Sequence, residues 1–131
     1  MNKKILTAAI SMCLAFPAFA AEPATISGRM DRVDQVVYGE VKDGALLDRI
    51  SSVDNLIYGK GNMTGDGLDD RVSNAYLDVV NSGNDAAPSI SARTNALEYY
   101  LTDEVKREAL ADRIGNLEKT VFGKEKSGAI D

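Results

Sequence analysis

The residues able to do chemistry in this chain are carboxylates, arginines and tyrosines. There are 20 Asp plus Glu against 15 Lys plus Arg, no His, no Trp and a single Cys in 131 residues. Without His, and with one thiol, zinc sites of Cys and His, Cys–His nucleophile pairs and Ser–His–Asp triads lack a ligand or a base. The acidic balance argues against nucleic acid, whose binding rests on Lys and Arg neutralising phosphates. What remains is paired carboxylates for acid–base work, clustered oxygens for calcium, and aromatic faces for sugars or partner proteins.

The densest oxygen cluster is Gly65-Asp66-Gly67-Leu68-Asp69-Asp70, with Asn62 nearby. Asp66, Asp69 and Asp70 are the candidate metal ligands, because calcium takes about six to eight hard oxygens. Their spacing matches no EF-hand, and Asp66-Gly67 occupies the place that Asp43-Gly44 and Ser127-Gly128 occupy elsewhere. Helix capping explains the recurrence without a metal. Asp34, Asp54, Glu98 and Glu118 also recur at one position. Acid–base catalysis needs unlike environments for its two carboxyls, so repetition points to ion pairing or solubility. Tyr38, Tyr58 and Phe122 form a third recurring set. Aromatics favour interfaces, which makes these three the candidate partner-binding residues; the competing role is closing each helix end. Gly59-Lys60-Gly61 ends a helix rather than opening one after a strand, so it makes no phosphate loop. No catalytic residue and no cofactor is expected.

These residues recur because the chain is a repeat. Five units begin near Ile26, Leu46, Leu68, Ile90 and Leu110, and each carries Arg three residues on: Arg29, Arg49, Arg71, Arg93 and Arg113. Numbering each unit from 0, the apolar residues fall at 0, +4, +7 and +11. On an α-helix, at about 100° per residue, these positions land within roughly 60° of one another. On a strand the first two and the last two would point to opposite faces. Each unit therefore predicts a helix of about three and a half turns.

Asp43, Asp66 and Ser89 precede these runs, where a side-chain oxygen can cap free N–H groups. Gly39, Gly59 and Gly123 follow them, where a left-handed residue is wanted, and Asn81 takes that place in the third unit. The fourth unit has Asp103 there. Between Ser89 and Ile114 there is neither Gly nor Pro, so a fused helix and a break at Thr102-Asp103-Glu104 both fit. Gly123 to Ile130 copies the spacing of Gly39 to Leu46, placing Ile130 at the start of a truncated sixth unit.

The expected fold is all-α: five short helices in a small antiparallel array or repeat bundle. Arg at +3 and the acid at +8 flank the apolar stripe on opposite sides. Short links favour antiparallel neighbours, which leaves these edges solvated or used between chains.

The unit Leu110-Ala-Asp-Arg113-Ile114-Gly-Asn-Leu117-Glu118-Lys-Thr-Val121-Phe122-Gly123 resembles the short helical L-x-x-R-I-x-x-L-E-x-x-V-F-G repeats of secreted and envelope-associated bacterial proteins. Units one, two and five are close to that pattern. The resemblance implies no activity.

Residues 1–20 read as an address. A basic start, Met1-Asn2-Lys3-Lys4, leads into an apolar run from Ile5 to Phe19, and Ala18-Phe19-Ala20 offers small residues at the cleavage positions. This is the form of a secretory signal peptide. Met12 before Cys13 does not suit a lipoprotein signal. Cleavage after Ala20 removes Lys3, Lys4 and Cys13, shifts the formal charge from −5 to −7 and leaves no thiol. No later stretch approaches membrane-spanning length. The expectation is one helical-repeat domain over residues 21–131, exported to the periplasm or beyond. It would be non-enzymatic and act through a protein partner or self-association, without nucleic acid. The rivals are a calcium- or glycan-binding module and a secreted fibre subunit.

Overall fold

In the computed structural model, which describes residues 22–59 and 66–130, five helices form where the apolar spacing predicts them. They are α1 (Ile26–Tyr38), α2 (Leu46–Tyr58), α3 (Leu68–Val79), α4 (Ile90–Thr102) and α5 (Leu110–Phe122), and no strand occurs among the described residues. The expected signal peptide, Asn62 and Lys60-Gly61 lie outside the described residues.

The ends of the helices follow local chemistry, with three corrections. Gly39, Gly59 and Gly123 terminate α1, α2 and α5 with φ of 80°, 71° and 76°, a conformation that is costly once a Cβ is present. Asp103 takes the same left-handed turn at 58°, which separates α4 from α5. Asn81 does not. The third helix ends on Val80 in the right-handed region, the left-handed turn comes at Gly83, and Asn81 Oδ1 accepts the Gly83 N–H instead. At the N-termini, Ser89 caps α4 through its side chain as expected, and Thr25 caps α1. Asp43 and Asp66 do not cap: Ala45 and Gly67 hold those positions without a side-chain bond.

The helices pack in an array around α1, which lies most extensively against α3 and also touches α2 and α5; α4 packs on α5 and α3. The core is drawn from the +4, +7 and +11 positions of the first three helices. Met30, Val33 and Val37, Ile50, Val53 and Ile57, and Val72, Ala75 and Val79 are all fully buried. The same positions behave differently in the last two helices. There the position-0 residues Ile90 and Leu110 are buried, while Leu97, Leu101 and Val121 are exposed. The tail returns to α2, where the Ile130 N–H bonds the Leu56 carbonyl 3.1 Å away. It repeats the first link in conformation as well as sequence: Gly44 and Gly128 have φ of 114° and 130°.

The expectation that the charged edges stand in solvent or serve only other chains is corrected by the packing. Most of them meet inside the molecule, between consecutive helices.

Candidate functional site

In α1, Asp34 is fully buried and receives three donors on one oxygen. The Lys42 backbone N–H lies 3.0 Å from Oδ2, Arg49 Nε 2.8 Å and Arg49 Nη2 2.8 Å. Arg49 Nη2 also reaches Asp31 Oδ1 at 2.7 Å. The arrangement recurs. Arg71 Nε donates to Asp54 at 2.9 Å and its Nη2 to Ser51 Oγ at 3.1 Å. Arg113 holds Glu98 in a two-point bond of 2.9 and 2.7 Å, reaches Asn95 at 2.6 Å, and the Lys106 N–H donates to the same carboxylate at 2.9 Å. The rule is that Arg at +3 of one helix grips the +8 acid and the +5 polar residue of the helix before it. In the α1–α2 and α4–α5 pairs the link folds back to give an N–H to that acid.

The series breaks at α3, whose +8 residue is Tyr76. There the +5 residue, Ser73, accepts a 2.8 Å bond from Arg29 of α1, which also contacts the Pro23 carbonyl and Glu22. Each of α1, α2 and α3 thus receives an arginine from another of the three, and the trio closes on itself. The α4–α5 pair opens a new series, and Glu118 at its end accepts the Lys126 N–H at 2.9 Å. Gly115 stands at +5 of α5; Glu125 lies over it, so close that an added Cβ would come within 2.5 Å of Glu125 Oε1.

These clamps explain the titration of the carboxylates. Burial pushes Glu98 up, but the Arg113 bonds and the Lys106 N–H outweigh it and leave the group below its usual range. Asp54 moves the other way: burial dominates its bond to Arg71, and Asp66 adds a like charge. The Tyr38 hydroxyl is pushed up by burial and by the Asp34 carboxylate. Each buried acid of the series, Asp34, Asp54 and Glu98, is committed to an arginine of the following helix. Exchanging a whole buried ion pair for apolar residues is often neutral for stability, whereas removing one partner strands a buried charge.

The three candidate aromatics do not gather at one place. Tyr38 packs against the core under Lys42, whose Nζ lies 5.1 Å from the ring centre. Tyr58 also packs against the core, and its hydroxyl donates to Asp78. Phe122 is exposed, with Lys126 Nζ 4.7 Å from its ring centre. Asp66, Asp69 and Asp70 are exposed at the start of α3, Asp66 in a small cleft with Asp54, Tyr58 and Arg71. Among the described residues no three acidic, His or Cys side chains gather as a metal site would require.

The feature that stands apart is a groove of about 330 Å³ between α4 and α5. Its walls include Leu97, Leu101, Val121 and Phe122, exposed at 52, 40, 56 and 59%. Arg93 of α4 and Glu118 of α5 also line it. A larger cleft of about 560 Å³ lies between α1, α4 and the links, with Arg32, Arg107 and Glu108 on its walls. Of the residues singled out from sequence, Phe122, Arg93 and Glu118 line the apolar groove. Leu97, Leu101 and Val121 read as ordinary core positions, since their spacing is the same as in the buried helices. Sequence reasoning also misses the +5 residues, although Asp31, Ser51, Ser73 and Asn95 are all short and polar.

No family model, curated protein or solved structure matches this chain. Among the described residues no helix is long and apolar enough to cross a membrane.

Proposed function

We propose that the protein is an exported, non-enzymatic helical-repeat protein of the bacterial cell envelope that works through contact with another polypeptide, either a distinct partner or a copy of itself. The observation that carries the reading is the α4–α5 groove. Three of its stripe residues, Leu97, Leu101 and Val121, are exposed, whereas their counterparts in α1–α3 are buried. Contiguous exposed apolar surface of this kind marks interaction sites. Export is supported by the basic start, apolar run and Ala18-Phe19-Ala20. A non-enzymatic role is supported by the commitment of the recurring buried carboxylates to arginine.

The test is to produce the full chain in a bacterium with a C-terminal tag and a photoreactive residue at Leu101, using exposed Ser52 as the control site. The expected result is tagged protein in the periplasm or medium, beginning at Ala21. Irradiation should give cross-linked protein adducts from position 101 and none from position 52. Uncut chain retained in the cytoplasm would overturn the export reading. A lack of adducts from Leu101 would overturn the contact reading.

A further inference from the structure

We propose that the cleft between α1, α4 and the links binds a short peptide with both ends free, its carboxylate held by Arg32 and Arg107 and its ammonium by Asp85 and Glu108. The proposal concerns a different side of α4 from the apolar groove and is independent of the contact reading above. Its first ground is the distribution of the arginines. The chain has seven, and the five at +3 all have partners within the chain. The other two, Arg32 and Arg107, are exposed and make no hydrogen bond or ion pair among the described residues. Both line this one cleft.

Neither arginine belongs to the repeat. Arg32 stands at +6 of α1, where the other helices have Ser52, Asn74, Ala96 and Asn116. Arg107-Glu108 stands in its link where the first link and the tail have Asp43-Gly44 and Ser127-Gly128. The architecture does not call for these three charges, yet all of them line the same cleft. Asp85 is the second carboxylate on its walls, and neither it nor Glu108 has a partner among the described residues. Arg113 lines the cleft too, but is committed to Glu98 and Asn95. Free charges of both signs match a zwitterion; a simple anion would leave the two carboxylates opposed to it. The second ground is Ser91, in the first turn of α4 and also on the wall. Its Oγ is buried with no hydrogen-bond partner, and its N–H has no backbone acceptor. Buried polar atoms find partners, and a carboxylate at a helix N-terminus accepts from both groups, while arginine forks grip its oxygens. Among the described residues no aromatic side chain lines the cleft, as stacking on a sugar would need. Its volume of about 560 Å³ falls within the range of roughly 300–1,000 Å³ for small-ligand sites.

The experiment is calorimetric titration of the protein, purified as the cell processes it, with trialanine, its C-terminal amide and its N-acetyl form. Circular dichroism accompanies every variant. Methyl side chains leave the two ends of the peptide as its only charged groups. The expected result is saturable heat with trialanine. The amide and the N-acetyl form should each bind about tenfold more weakly or worse, since each loses a charge-assisted hydrogen bond. Arg32→Gln, Arg107→Gln and Glu108→Gln, all at exposed positions, should weaken trialanine by a similar factor with unchanged helix content. Lys124→Gln, at an exposed position outside the cleft, should bind it as the parent does. No heat with trialanine would overturn the proposal, as would arginine variants that bind it like the parent. An N-acetyl form as tight as trialanine would also overturn it, by reducing the ligand to a plain carboxylate. Weakening by Lys124→Gln equal to that by Arg32→Gln would overturn it too, by showing only diffuse attraction.

Discussion

Glu98 and Asp54 occupy the same position in their units, yet their environments differ by a few contacts. Glu98 spreads its charge over both oxygens and accepts from Arg113 twice and from the Lys106 N–H. Asp54 takes its Arg71 bonds on one oxygen. The consequence is opposite pH linkage. Glu98 is held below its ordinary value of 4.5, so its contribution is complete above that pH and is lost as pH falls through the lowered value. Asp54 is held above its ordinary 3.8, so acidification through the raised value favours the folded state at that site. Glu98→Gln should therefore lower thermal stability at pH 7, with the gap to the parent closing as pH falls below about 4. Asp54→Asn should cost less at pH 7 than Glu98→Gln. Thermal melts across that range check both; a Glu98→Gln gap that stays constant with pH would refute the linkage. Removing the buried carboxylate altogether with Glu98→Ala strands Arg113 and should cost roughly 3–5 kcal/mol.

At the scale of the element, the helices are legible because their signals are local. The 0, +4, +7, +11 stripe has one interpretation in a polypeptide, and a Gly after it has a steric cause. Gly59 illustrates the second point: its φ is 71°, and an added Cβ would also lie 3.2 Å from the Ala129 Cβ. Gly59→Val should lower stability by about 1–3 kcal/mol, and Gly59→Asn by less, because Asn tolerates the left-handed turn. Equal melting temperatures for Val and Asn would show that the turn conformation is not what matters. The errors lie where a neighbour decides. Asp43 and Asp66 stand too early in the chain to cap, ahead of Ala45 and Gly67, and Asn81 gives its side chain to the next turn rather than stopping α3. The pairing of the charged edges depends on how the helices pack; in two of the links the Lys42 and Lys106 N–H groups also bond the paired acid. Spacing alone does not encode that.

At the scale of the whole molecule, the chain divides its five similar units unequally. Three close on themselves with a buried apolar core, and two leave their stripe open. The Arg–acid series breaks at the same boundary, where Tyr76 stands in place of an acid. Of the candidate site, Phe122, Arg93 and Glu118 are in view from sequence. Exposure at Leu97, Leu101 and Val121 is not, because it reflects which helices pack together rather than any change in residue type. Three apolar-to-Asp changes measure this division. Leu97→Asp and Leu101→Asp should leave the helix content of the chain unchanged. Val53→Asp buries a charge in the closed trio and should unfold it, as circular dichroism would report.

The contact between Arg29 and Ser73 has a consequence for the order of assembly. The clamps between consecutive helices join residues 15 or 17 apart in the chain, whereas Arg29 and Ser73 are 44 apart. The entropy lost on closing a loop grows with its length, so within the trio the pairs of consecutive helices form before the bond from α1 to α3. A contact absent from the rate-limiting transition state governs how fast the native state opens, and not how fast it is reached. Ser73→Ala, which removes one hydrogen bond of about 1 kcal/mol, should speed unfolding several-fold in stopped-flow measurements while the refolding rate hardly changes. The first three helices thus behave as a ring whose clasp is fastened after the beads are strung.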